Sequence, residues 1–213
     1  MTGLIYKDLL TLKKQLGTYL VFFIIYGGFC AAGIFDTAIL GGLVTLTGMI
    51  VPMSSVAADD ATRWNRYAVA TPAGRRGVVT GKYLFTLLML AGSFAVVSML
   101  LVLLSLAGVG ESTLPDLILV TALCTALGLL LDAVVLPLLL KFGSERARVI
   151  SMTLFVAIFG GSVLLGGLLG KGGLPALPGW LTSALPGLLA ILAVGGFALS
   201  YCIAQGIYAK KEF

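Results

Sequence analysis

Six apolar runs follow one another along the chain, each of about 20 residues and long enough to cross a hydrocarbon core about 30 Å thick. They cover roughly Thr18–Phe35, Ala38–Ala58, Tyr83–Ala107, Leu117–Leu140, Val149–Leu169 and Ser183–Tyr208. Little more than Asp36-Thr37 separates the first two, which predicts a tight helical hairpin. Before them, residues 1–17 place Ile5, Leu9, Leu12 and Leu16 on one stripe, with Lys7, Thr11 and Lys14 opposite. That spacing suits an amphipathic helix lying along the membrane surface. The basic stretch is too long and too amphipathic for a signal peptide, and Phe29 before Cys30 fills the place where a lipoprotein signal needs a small residue.

Between the second and third runs lies the one long polar segment, Asp59–Tyr83, with Asp59, Asp60, Arg63, Arg66, Arg75, Arg76 and Lys82. Read as a helix over Asp59–Ala70, it sets Ala57, Ala61, Trp64 and Ala68 on one face and Asp59, Arg63 and Arg66 on the other. Asp59 and Arg63 then stand in the favourable order for an i,i+4 ion pair. Pro72 disfavours helix at Thr71, and Thr71 and Pro72 fit the N-cap and first position of the helix that follows.

The expected architecture is an all-α integral membrane protein forming a single transmembrane domain. Residues 1–17 form the interfacial helix, 18–58 spans one and two, 59–82 a polar loop, 83–208 spans three to six and 209–213 a tail. Thirteen of the 14 basic residues fall on one side of these six spans, and only Lys171 on the other. Asp36, Glu111 and Asp116 join Lys171 on that side. By the positive-inside rule both termini are expected in the cytoplasm.

Composition agrees with this pattern. Apolar residues make up 59% and charged residues 11%, where soluble proteins carry about 25% charged, and the mean hydropathy is +1.09. Histidine is absent, which removes the usual proton shuttle and metal ligand. Cys30, Cys124 and Cys202 each lie within an apolar run and show no disulfide or metal spacing. The net charge of +5 is what positive-inside topology requires, so it argues for no nucleic-acid partner.

Two spans carry polar features. In the second, Gly41, Thr45, Gly48, Pro52 and Ser55 share a face, and Pro52 is expected to bend the helix. Thr45, Gly48, Pro52 and Ser55 are candidates for a substrate path or a dimer contact, and ordinary bundle packing explains them as well. In the fourth span, Asp132 is the one ionisable residue deep in an apolar run, on the face of Thr121, Thr125 and Gly128. An intramembrane carboxylate is a functional candidate by default. The competing reading is a structural carboxylate bonded to nearby hydroxyls or to a basic side chain. The glycines of spans five and six, among them Gly160, Gly161, Gly195 and Gly196, fit close helix packing.

The chain shows no catalytic constellation. Gly170-Lys171 lacks both the earlier glycine and the Ser/Thr of a phosphate loop, and no nucleophile stands beside a base. Six spans, an amphipathic polar loop and no engine point to one subunit of something larger.

Over its whole length the chain resembles the compact permease subunits of ABC-2-type ABC transporters. Lys7-Asp8-Leu9 matches an element of their surface helix. Asp59, Asp60, Trp64, Tyr67, Pro72, Arg75, Lys82 and Tyr83 occupy the places of their acidic, aromatic, proline and basic residues after the second span. Thr71 stands where leucine is common, and Gly74 where a small polar residue is. The resemblance implies that 59–82 contains a coupling helix that docks on a separate ATPase subunit, which holds the ATP and magnesium; no cofactor is expected in this chain. It implies contact with that ATPase through Asp59, Asp60, Arg63, Trp64, Arg66, Tyr67, Arg75 and Arg76. It further implies pairing with a second permease chain, identical or not, and export of a peptide or other amphipathic or lipophilic substrate, in a bacterial plasma membrane. A non-transporting membrane scaffold or assembly factor is the alternative from another class. A secondary transporter has thinner support, with one intramembrane acid and no inverted repeat.

Overall fold

A computed structural model describes residues 2–69, 74–108, 113–153, 156 and 179–210. Among them the chain is helical, without a strand. In order the helices are α1 (Thr2–Thr11), α2 (Lys13–Ala31), α3 (Ile39–Ala61), α4 (Trp64–Val69), α5 (Gly74–Leu106), α6 (Leu114–Phe142), α7 (residues 144–153) and α8 (Gly179–Ala209). Five are long and apolar enough to cross a membrane: α2, α3, α5, α6 and the Pro186–Ala209 part of α8. Most of the expected fifth span, Val149–Leu169, lies outside the described residues, as do Thr71 and Pro72.

Two boundaries differ from the sequence reading. The N-terminal segment is not one helix to residue 17. It breaks at Leu12, which is 5% exposed, and the next helix starts at Lys13. Gln15 explains the early start, because its amide donates to Ser54 Oγ on α3 at 2.8 Å and so draws this turn into the bundle. The stripe is also turned: Leu9 is exposed and Asp8 is buried.

The second difference concerns the polar loop. A single helix over Asp59–Ala70 does not form. Helix α3 continues past Asp59 to Ala61 and stops at Thr62, whose hydroxyl donates to the Ala58 carbonyl at 2.9 Å. Arg63 then takes a left-handed backbone (φ +53°) and α4 starts anew at Trp64. The expected common face of Ala57, Ala61, Trp64 and Ala68 is broken by this turn: Ala61 is exposed, Ala68 buried.

Among the described spans α3 is the most buried. Over half of its most apolar stretch is buried, against 17–28% in the other four spans. Their outward sides carry exposed Leu20, Ile24, Leu88, Leu103, Ile191 and Leu199, apolar surface that a bilayer covers and water would not. The small residues of α3 bring α6 close. A side chain at Gly41 would meet the Thr121 Cα at 3.3 Å, and Thr45 Cα stands 3.4 Å from where one would begin at Gly128. Thr45 Oγ1 also donates to the Cys124 carbonyl at 2.7 Å. At 33 residues, α5 is about 50 Å long, so it outruns an apolar core of about 30 Å. Around its first turns gather α1, α4, the end of α3 and the end of α8.

Candidate functional site

That gathering is organised by four charged side chains. Lys82 lies on α5 between Val78, Val79 and Phe85, all buried, so the helix that buries its apolar face also buries an ammonium. Its Nζ lies 3.1 and 2.9 Å from the two oxygens of Asp8 on α1, and donates to Ser55 Oγ on α3 at 2.6 Å. It also stands 2.6 Å from Asp59 Oδ2, off the axis of a hydrogen bond, so that contact is ionic in kind. Lys7 closes the ring: its Nζ is 2.9 Å from Asp8 Oδ1 and donates to Asp59 Oδ1. Two acids and two bases therefore balance.

Balance is what makes the burial tolerable. An isolated charge withdrawn from water is costly, and paired charges with their remaining valences bonded recover much of that cost. The crevice between α1, α3, α4 and α5, lined by Leu4, Lys7, Asp59, Trp64 and Gly81 among others, has a cavity volume of about 10 Å³. That is room for roughly one water, so this is a joint between helices and not a ligand pocket.

Around the ring, other residues of the polar loop are tied to particular helices. The Asp60 carboxylate accepts the N–H of Ser144 at 2.8 Å, at the start of α7. Gly143, at φ +81°, makes the turn into that helix and leaves room for the carboxylate, which lies 3.4 Å from where a Cβ would stand. Arg75 donates to the carbonyl of Ala209, the last residue of α8, where a cation also complements the helix dipole. Lys7 Nζ sits 5.0 Å over the Trp64 ring. Ala68, fully buried, fixes the far end of α4 in a cluster with Val78, Tyr83, Leu136, Phe197 and Tyr208, against which Trp64 also packs.

The expected contact residues thus fall into groups. Arg63, Tyr67 and Arg76 are exposed, Tyr67 at 68%. Trp64 is half-buried. Asp59 is 3% exposed and does not pair with Arg63 as an i,i+4 partner; Lys7 and Lys82 take that carboxylate instead. Asp60 and Arg75 hold other helices, and the Arg66 side chain lies outside the described ones. Sequence reasoning missed Lys7, Asp8 and Lys82 as a unit. The signal was present, since Leu4, Asp8 and Leu12 recur every four residues and put an acid on an inward face.

The span residues form a second group. Gly48 faces Leu90 and Asp132, whose Oδ2 lies 3.5 Å from where a Cβ would be. Pro52 is buried inside the continuous α3, and Ser55 belongs to the ion ring. Thr45, Gly48 and Ser55 each contact other helices of this chain. Asp132 is 0% exposed, and neither carboxylate oxygen has a hydrogen-bond partner among the described residues. Thr121 and Thr125 share its face but donate to carbonyls of their own helix, those of Leu117 and Thr121. The expected hydroxyl partners are thereby occupied.

No curated protein and no solved structure matches the chain. A family model described as ABC-2 family transporter protein matches residues 3–209. By that match the chain belongs to the ABC-2 transporter family, as a transmembrane permease subunit.

Proposed function

We infer that this permease pairs with a second permease chain, identical or not, and that separate ATPase subunits drive the pair by gripping α4. The observation that carries the reading is the split of α4 into two sides. Trp64 and Ala68 anchor the helix on the bundle, while Tyr67 is 68% exposed and Arg63, in the turn just before the helix, is exposed too. Aromatic and arginine side chains are the usual anchors of protein interfaces. A permease without a nucleotide site of its own feels ATP only through such a surface. Asp59, Asp60 and Arg75 then act behind it, by fixing α1, α5, α7 and α8 to the same place. The gripped end is the cytoplasmic one, in keeping with the 13 basic residues assigned to one side by the six-span reading. The transported substrate is a peptide or another amphipathic or lipophilic molecule, carried outward, as the family resemblance implies.

The test is Arg63→Glu combined with Tyr67→Ala, followed by affinity co-purification with the ATPase and by ATPase rate in nanodiscs. Each central anchor contributes roughly 2 kcal/mol, so losing one weakens binding about 30-fold. Full retention with unchanged coupling would sink the reading.

A further inference from the structure

Lys7 is the one member of the ion ring that keeps contact with water. Its side chain is 26% exposed, against 6% for Asp8, 4% for Asp59 and 7% for Lys82. It is also the ring member that reaches α4, through the Trp64 ring 5.0 Å from its Nζ. Three groups on three helices converge on this ammonium: Asp8, Asp59 and Trp64.

Helix α4 needs such a hold. Six residues are too few to sustain a helix by themselves, and the turn before it contains a non-glycine residue in the left-handed region. Ala68 anchors one end of α4 in the bundle. Toward the other end, Trp64 offers a large flat face, and tryptophan is the aromatic that a cation favours most. A lysine held at fixed position by two carboxylates presents its charge to that face at little further cost in side-chain freedom.

We propose that Lys7 is a positioning residue for the ATPase contact: by holding the Trp64 indole against the ion ring it sets the orientation of α4. The N-terminal helix thereby belongs to the coupling unit. Motion of α4 is passed to α1 through Lys7, and to α3 and α5 through the two carboxylates it shares with Lys82. The proposal rests on the reading of α4 as the ATPase contact, and its test separates the two.

The chain has two tryptophans, so Trp180→Phe leaves Trp64 as the sole fluorophore. In that background three variants are compared in nanodiscs: Lys7→Gln, Lys7→Arg and the pair Lys7→Gln with Asp59→Asn. The pair keeps the ring balanced, with Asp8 against Lys82, and still lacks the cation over Trp64. Acrylamide quenching of Trp64 reads the orientation of α4 without any partner, and ATPase affinity reads its consequence. Lys7→Gln and the balanced pair are both expected to raise quenching and to weaken the ATPase roughly fivefold to tenfold, the scale of one cation–aromatic contact. Lys7→Arg is expected to restore both. A balanced pair that behaves like the parent would show that Lys7 serves only charge balance, and would overturn the proposal. So would unchanged quenching in Lys7→Gln, or raised quenching with full ATPase affinity while Arg63→Glu with Tyr67→Ala releases the partner. If that last variant also retains the ATPase, the reading of α4 falls, and quenching alone decides whether Lys7 orients it.

Discussion

Asp60 accepts the backbone N–H of Ser144 at 2.8 Å, joining positions 84 residues apart. The first N–H groups of a helix have no partner within it, and a carboxylate there also complements the helix dipole. Here the acceptor comes from the end of α3, so α7 is capped from another helix. Asp60→Ala should cost about 1 kcal/mol, raising amide exchange across residues 144–150 roughly fivefold. Asp60→Asn keeps an acceptor oxygen and should stay near the parent rate. Equal exchange in all three would show that the cap carries no energy.

Lys82 is the hub of the ion ring, and its loss leaves two buried carboxylates to share Lys7. Removing one partner of a buried pair costs about 3–5 kcal/mol, so Lys82→Met should lower the thermal midpoint in detergent sharply. Adding Asp8→Asn restores one acid to one base and should recover a large part of the loss. A double variant no more stable than the single would mean that the charges do not act as a ring.

Asp132 calls for the opposite expectation. A buried carboxylate whose oxygens find no hydrogen bond among the described residues is a cost to folding, of about 1–3 kcal/mol for a polar group by mutational measure. Leucine repeats the branched heavy-atom skeleton of aspartate and is apolar, so Asp132→Leu should leave the thermal midpoint unchanged or raised. If the carboxylate is kept for transport, flux in proteoliposomes falls in that same variant. Stability and flux falling together would identify a structural residue and remove Asp132 from the substrate path.

Topology can be read chemically. With Cys30, Cys124 and Cys202 replaced, single cysteines at Arg76 and Lys210 should react with an impermeant maleimide only from the cytoplasmic side. One at Asp116 should react only from outside. Labelling of Lys210 and Arg76 from opposite faces would contradict the six-span count and the cytoplasmic placement of both ends.

Span positions were legible in the sequence because burial in lipid demands long apolar runs, and α2, α3, α5, α6 and α8 coincide with them. A close-packing face on α3 was legible for a related reason, since Gly41, Thr45 and Gly48 repeat at helical spacing; that α6 is the helix packed on it was not. Partners of the charges were not. Asp59 is as near in sequence to Arg63 as an ion pair requires, yet its bonds go to Lys7 and Lys82, 52 and 23 positions away. Local periodicity sees only the first kind of neighbour. Likewise nothing in the helix propensities of Asp59–Ala70 forecasts the break at Thr62 and Arg63. That break follows from tertiary demands, with Asp59 held inward on α3 and Ala68 buried in a different cluster.

The break at Arg63 makes α4 a short arm whose footing is its packing on the bundle. Six helical residues span about 9 Å, and a non-glycine residue in the left-handed region costs roughly 1–2 kcal/mol, so the joint keeps its shape through Trp64 and Ala68, which pack on the bundle. On the reading of α4 as the ATPase contact, a push on the exposed Tyr67 would load those packing contacts and the Lys7 ammonium over the Trp64 ring. Through Lys7 that load would reach the carboxylates of Asp8 and Asp59 and the Lys82 ammonium they share, and so α1, α3 and α5 together.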